Sequence, residues 1–379
     1  DPADVAQAQA TAVAMADLDG DARQETVAGF SDGSTMVYSS EGVELSRHKA
    51  EKRINAVACV DVDGDGKLEV LSACDDYKLY ATDIAGNEVW AFSSEGHEIT
   101  NKFAGELGIG RHVSSEGEFI SIRIADIDAD GTNEILAGAK CFLHGNRHVY
   151  GTLWVLSLEG KQLWHAFNFG GTVDTIDCAD IDGDGRLEVV IGTGGGTYGR
   201  YSYVIDDEGK QLAAIGAGYG EKRAAFARLT AGGPPALVRL ESLDGTATAF
   251  GMGEGRPQLW EYVSSGLTTD GPLVADLDGD GLDEVIIGGD SGDVYALDNA
   301  GRLLWRSNVG AAVTKLALTV AAGELRIIAG TRAGALYALD ASGEVVGSAD
   351  AGGPVSNLDA DAGVVSFGTR DGRVGRLSL

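Results

Sequence analysis

An all-β fold built of repeated four-stranded units is what this sequence predicts, and three patterns predict it. The first is an acidic loop running straight into an apolar strand, as in ADIDGDGRLEVVIGT at 179–193, which occurs five times. The second is a strand, a glycine turn and another strand, as in VYALDNAGRLLW at 294–305. The third is spacing: first aspartates of successive acidic loops lie 44, 65, 54 and 96 residues apart, so the last gap holds two units, one without its loop. A period in the forties with strand-loop-strand units indicates a radial array, a β-propeller.

The acidic loop decides the metal. Asp180, Asp182 and Asp184 stand on alternate positions, and such like charges cannot converge without a cation between them. Oxygen ligands at positions 1, 3 and 5, a glycine at 6, a carbonyl at 7 and a later carboxylate describe a loop for calcium. In an EF-hand the last ligand comes at position 12 on a helix. Here it comes at position 9, as Glu188, and VVIGT follows as a strand. The other candidate ligand sets are Asp17, Asp19, Asp21 and Glu25; Asp61, Asp63, Asp65 and Glu69; Asp126, Asp128, Asp130 and Glu134; and Asp276, Asp278, Asp280 and Glu284. Up to five Ca²⁺ ions are therefore expected. Ala22 replaces the turn glycine of the first loop and Ala129 the preceding glycine of the third, so the first loop should bind most weakly.

The second phrase returns at 79–90, 153–164, 203–213 and 336–347. Joined to the acidic loop it gives strands A to D, with the calcium loop between A and B. Strand A starts near residues 11, 54, 119, 172, 223, 268, 311 and 354, which predicts an eight-bladed β-propeller with blades at 11–53, 54–118, 119–171, 172–222, 223–267, 268–310, 311–353 and 354–379 plus 1–10. Seven blades is the alternative if the weak fifth unit is irregular. The last unit ends on its third strand, and Val5 precedes Val13 by the same eight residues that separate Trp305 from Val313. Residues 1–10 should thus supply the missing strand and close the ring, leaving no long open edge. Trp90, Trp164, Trp260 and Trp305 share one position on strand D and read as blade packing, and His165 beside Trp164 reads as a packed or surface residue.

The calcium phrases resemble the FG-GAP or VCBS repeats of integrin α-subunit propellers and of many secreted bacterial proteins. The YALDxxGxxLW phrases resemble outer strands of quinoprotein-type propellers. This resemblance spans nearly the whole chain and implies fold and metal; it implies no activity, because propellers host many unrelated functions.

Composition narrows the partners. A chain of 379 residues with 44% hydrophobic content, 56 glycines and only 6 prolines is a globular, turn-rich β protein. Its net charge of -29 argues against nucleic acid or an anionic membrane as partner, and no apolar run reaches membrane-spanning length. No signal sequence is visible and the first residue is aspartate, so a processed chain or one domain of a larger secreted protein is expected. Loops of this kind need calcium above cytosolic levels, which favours an extracellular or periplasmic home. Cys59 and Cys178 share a strand A position and should be small buried residues; pairing of Cys74 with Cys141 stays open.

Function is sought where the repeat is broken. Strands alternate in direction, so A-B loops share one face of the disc and B-C and D-A connections share the other. Insertions at 93–118, 139–151, 194–203 and 218–224 all fall on that second face, over blades 2 to 4. Five of six histidines lie between 97 and 165, and the insertions add Lys102, Arg111, Tyr201, Tyr219, Lys222 and Arg223. Two readings follow. One is a binding module for an anionic polysaccharide or a protein ligand. The other is a polysaccharide lyase cleaving a uronic-acid glycan by β-elimination, with His144 or His148 as base, Arg147 or Arg200 as carboxylate neutraliser and Tyr150 or Tyr198 as acid.

Overall fold

The computed structural model describes residues 8–96, 116–143, 148–169, 171–194, 201–216 and 222–379, and no side chain at 142, 143, 148, 167–169 or 222. Its described residues form eight antiparallel sheets, seven of four strands and one of three, arranged as an eight-bladed propeller without helices. The fifth unit is a regular blade of Lys222–Ala227, Ala236–Glu241, Thr246–Phe250 and Gln258–Val263, which removes the seven-blade alternative. First strands begin at Ala10, Ile54, Gly117, Thr172, Lys222, Thr268, Val313 and Val355.

Burial explains the strand types. Second strands such as Glu25–Phe30, Glu69–Cys74 and Glu284–Gly289 are buried along their whole length, because both faces meet neighbouring blades. They read as continuous apolar runs for that reason. Outer strands such as Glu44–Lys49, Leu303–Asn308 and Val345–Asp350 alternate exposed and half-buried, as the solvent-facing rim requires. A glycine in the second strand recurs as a seat for the next blade: a Cβ on Gly29, Gly288 or Gly330 would lie 2.5, 2.7 or 2.6 Å from Ile54, Val313 or Val355.

First strands are also tied to one another around the axis. Asn55 Nδ2 donates to the Phe119 carbonyl at 2.8 Å, Ser121 Oγ to Val173 at 2.7 Å and Thr269 Oγ1 to Val313 at 2.6 Å. Each links one blade to the next and is worth about 1 kcal/mol. The ring closes the same way: Ser356 Oγ donates to the Ala10 carbonyl at 2.6 Å, and Asp359 Oδ2 accepts from the Met15 N–H at 2.7 Å. The last blade has three described strands, Val355–Asp361, Val364–Thr369 and Val374–Ser378; of the closing segment expected at 1–10, residues 1–7 lie outside the described residues.

One expectation is corrected, and one open question is answered. The stretch 139–151 is no inserted loop along most of its length: Glu134–Leu143 and His148–Leu156 pair in register as far as Leu143 opposite His148, extending the blade 3 hairpin. Cys74 and Cys141 do not pair. All four cysteines are free thiols, with Cys74 donating to the Lys52 carbonyl at 3.3 Å and Cys141 lying 3.2 Å from Thr152 Oγ1.

Candidate functional site

The five acidic loops share one geometry. The first aspartate takes two backbone donors: Asp61 Oδ1 accepts from the Gly64 N–H at 2.7 Å and Oδ2 from Gly66 at 2.9 Å, while Asp276 accepts from Gly279 and Gly281 at the same distances. The glutamate reaches back to the loop, so that Glu69 Oε2 accepts from Val62 N–H at 2.9 Å and Glu284 Oε2 from Leu277 at 2.8 Å. These bonds leave carboxylate oxygens facing one another. Asp17, Asp19 and Glu25 have ligand atoms within 4.8 Å of each other, as do Asp61, Asp63 and Glu69; Asp126, Asp128 and Glu134; Asp180, Asp182 and Glu188; and Asp276, Asp278 and Glu284.

Such triads could hold a metal ion, and an oxygen-only donor set suits a hard cation. Burial pushes the carboxyl of Glu134 up to about 6, opposed by the Ile127 N–H and reinforced by Asp128, Asp130 and Asp126. Glu25, Glu69, Glu188 and Glu284 are raised for the same reason. A cation there would compensate the charge that burial penalises.

The third aspartate of each loop stands outside these triads. Asp21 Oδ1 accepts from the Arg23 N–H at 2.8 Å, and its other oxygen pairs with the Arg23 guanidinium at 2.6 Å. Asp184 pairs likewise with Arg186 at 3.3 Å; Asp65, Asp130 and Asp280 accept from the N–H of Lys67, Thr132 and Leu282. Ala22 and Ala129 keep the positive φ of the glycines they replace, at +66° and +60°.

The opposite face carries the readings for ligand chemistry. His144, Arg147, Tyr198 and Arg200 lie outside the described residues, and His148 is placed only as a backbone position on the blade 3 hairpin. Tyr150 is 7% exposed and packs in a hydrophobic cluster with Phe119, Cys141 and Trp154. Arg223 belongs to a different place from the rest: it lines a polar funnel of about 600 Å³ where the first strands begin, at the mouth of the axial channel.

Four further cations line this mouth: Arg53, Lys315, Arg332 and Arg370. Sequence reading missed them, because they stand on blades 2, 7 and 8, far apart along the chain. The signal was positional: Arg53, Arg223 and Lys315 sit at the starts of first strands, and Arg332 and Arg370 in the turns after second strands. Arg223 and Lys315 both pair with Asp270, a carboxylate only 6% exposed that also accepts from the Leu316 N–H at 2.7 Å.

An eight-bladed β-propeller with five acidic triads on one face and a cationic mouth on the other is the class that fold and site define. Residues 61–137 match the FG-GAP-like repeat family, and residues 241–352 match the lambda-carrageenase beta-propeller domain. No curated protein matches the sequence significantly. Among solved structures, the chain is similar to the computationally designed Ika8 protein, with 18% identity and a TM-score of 0.68 over 98% of this chain and 97% of that one. It is also similar to Sqt1 of Saccharomyces cerevisiae (13%, 0.70, 99% and 97%) and to BamB of Moraxella catarrhalis (17%, 0.58, 98% and 98%). At these identities the likeness is one of fold.

Proposed function

We propose that this chain is a calcium-stabilised propeller that works outside the cytosol as a binding module for an anionic glycan. The ligand would meet the face of the B-C and D-A connections, over blades 2 to 4 and the axial mouth. The observation that carries this reading is the segregation of charge between the two faces. In a chain of net charge -29, one face gathers the acidic triads, and the other gathers five cations around one funnel. A polyanion is attracted to the second face and repelled by the first.

Two further points support the reading. The match of residues 241–352 to a propeller domain named for lambda-carrageenase favours a polysaccharide as the ligand class. Oxygen-only triads reinforced by backbone donors suit Ca²⁺, whose role here is to neutralise and rigidify the loops joining first and second strands.

Affinity electrophoresis in gels containing λ-carrageenan, polygalacturonate or a neutral galactan tests the proposal. The account expects retardation by the acidic polymers alone. Equal mobility in all gels, together with specific capture on a protein array, would replace the glycan by a protein ligand. Rising absorbance near 235 nm on incubation with polygalacturonate would assign the lyase reading instead.

A further inference from the structure

We propose that the axial mouth is an oxyanion-binding site, built to take a sulfate ester or a carboxylate that projects from an acidic glycan. The glycan as source rests on the function proposed above; the oxyanion site itself rests on the geometry of the mouth.

Charge balance is the first argument. Five cations line the funnel, and the carboxylate that serves them is Asp270, which is held by Arg223 and Lys315. Among the described residues, Arg53, Arg332 and Arg370 have no carboxylate partner. Arg53 Nε donates to Asn55 Oδ1 at 3.1 Å, which orients the guanidinium, and Asn55 Nδ2 donates in turn to Asp75 Oδ1 at 2.6 Å. Elsewhere arginines have partners of their own: Arg23, Arg186, Arg228, Arg302 and Arg306 each pair with an aspartate at 2.6 to 2.9 Å, and Arg239, Arg256 and Arg376 donate to the Ile215, Leu212 and Gln24 carbonyls. What sets Arg53, Arg332 and Arg370 apart is that three arginines without a carboxylate partner among the described residues line one funnel, in a protein with twice as many acids as bases.

Placement is the second argument. Arg332 and Arg370 occupy equivalent turns of neighbouring blades, and their N–H groups donate to the Ala312 and Pro354 carbonyls, both at 2.9 Å. The turns are thereby fixed by backbone, and among the described residues neither arginine side chain has a carboxylate partner. Thr268, Thr314 and Asn357 also line the funnel, but their side chains already donate to the Glu241, Gly330 and Thr11 carbonyls, so the arginines are the groups that can take an anion. Arginine's planar fork matches carboxylate and sulfate oxygens, and charge-assisted bonds of this kind are about twice as strong as neutral ones.

The test replaces the two turn arginines, because Arg223 and Lys315 hold the buried Asp270 and their loss would perturb folding. Wild type, Arg332→Ser, Arg370→Ser and the double variant are compared by equilibrium dialysis with radiolabelled inorganic sulfate at low ionic strength and by affinity electrophoresis in λ-carrageenan and polygalacturonate. Unchanged circular dichroism and melting temperature establish that each variant is folded. The site predicts saturable sulfate binding by wild type, weakened about tenfold or more for each arginine removed, and weakened by added salt. Sulfate binding that depends on both arginines without glycan retardation would keep the site and discard the glycan. Glycan retardation unaffected in the double variant, or no sulfate binding by wild type, would overturn the site. Preference for λ-carrageenan over polygalacturonate, or the reverse, identifies sulfate or carboxylate as its natural group.

Discussion

The indole of Trp260 lies directly on Gly301 of the following blade: a Cβ at Gly301 would come within 2.5 Å of the ring, and Trp260 Nε1 donates to the Asn299 carbonyl at 3.0 Å. Trp90 with Gly160, Trp164 with Gly209 and Trp305 with Gly343 repeat the arrangement. The outer-strand phrase and its glycine turn are thus one device. A tryptophan closes each such blade junction, and a glycine makes room for it.

Trp260→Ala should cost roughly 3 kcal/mol, from lost apolar burial, a cavity and an unpaired Asn299 carbonyl. Gly301→Ala should be comparably harmful, since its φ is +74° and the new methyl meets the ring. Urea unfolding of both variants checks this. Values near zero would mean the junction is held elsewhere.

Ala22 at φ +66° and Ala129 at φ +60° hold a conformation that costs a non-glycine residue about 1 kcal/mol. The glycines at equivalent positions, Gly66 and Gly64, meet nothing within 4 Å, so backbone strain alone is at issue. Ala22→Gly and Ala129→Gly should each stabilise the protein by up to about 1 kcal/mol and tighten metal binding by the repaired loop. Calorimetric melting with and without calcium would register both effects; a lower melting temperature would refute the strain argument.

The fold was legible because its determinants are local and repeated. Each acidic triad draws its ligands from nine consecutive residues, so spacing alone groups Asp61, Asp63 and Glu69. Spacing does not show which partner the third aspartates take in this structure: Asp21 pairs with Arg23 at 2.6 Å, a choice among short-range partners that spacing does not rank. The 139–151 stretch looked like a loop for its histidines and arginine, while the inward alternation of Ala139, Cys141 and Tyr150 marked it as strand. The cationic mouth was illegible: Arg53, Arg332 and Arg370 meet only once the ring is closed.

Asp293 is fully buried, with Arg306 at 2.7 Å and Asn308 Nδ2 at 2.8 Å. Burial alone would raise its carboxyl, but hydrogen bonds from Arg306, Ser291 and Asn308 and the Arg306 charge outweigh this and hold it well below the usual carboxylate range. A lowered folded pKa means that the unfolded chain takes up the proton first as pH falls. The stabilisation is therefore present above the unfolded carboxyl value, about 3.9, and is lost as pH drops below it. Asp293→Asn should destabilise by about 2 kcal/mol at neutral pH, with the gap from wild type closing in acid. A gap independent of pH would show that shape, not charge, matters at this position.

Chelation should lower the melting temperature, because ions bound by the folded state alone stabilise it by mass action. Protein dialysed against calcium and then against metal-free buffer should retain up to five ions by elemental analysis, as the five triads allow. Glu69→Gln and Glu284→Gln should each remove about one ion. An ion count unaffected by both variants would place the metal outside the triads.

The central claim is that one face of this disc is the metal-bound scaffold and the other receives a polyanion. Titrating calcium-loaded protein with λ-carrageenan oligosaccharides by calorimetry, at about 50 and 500 mM salt, tests it most directly. The account predicts saturable binding that weakens steeply with salt, is absent for the desulfated oligosaccharide, and survives substitution of single triad glutamates. Binding that ignores salt and sulfation, or that disappears when a triad on the opposite face loses its ion while the protein stays folded, would contradict it.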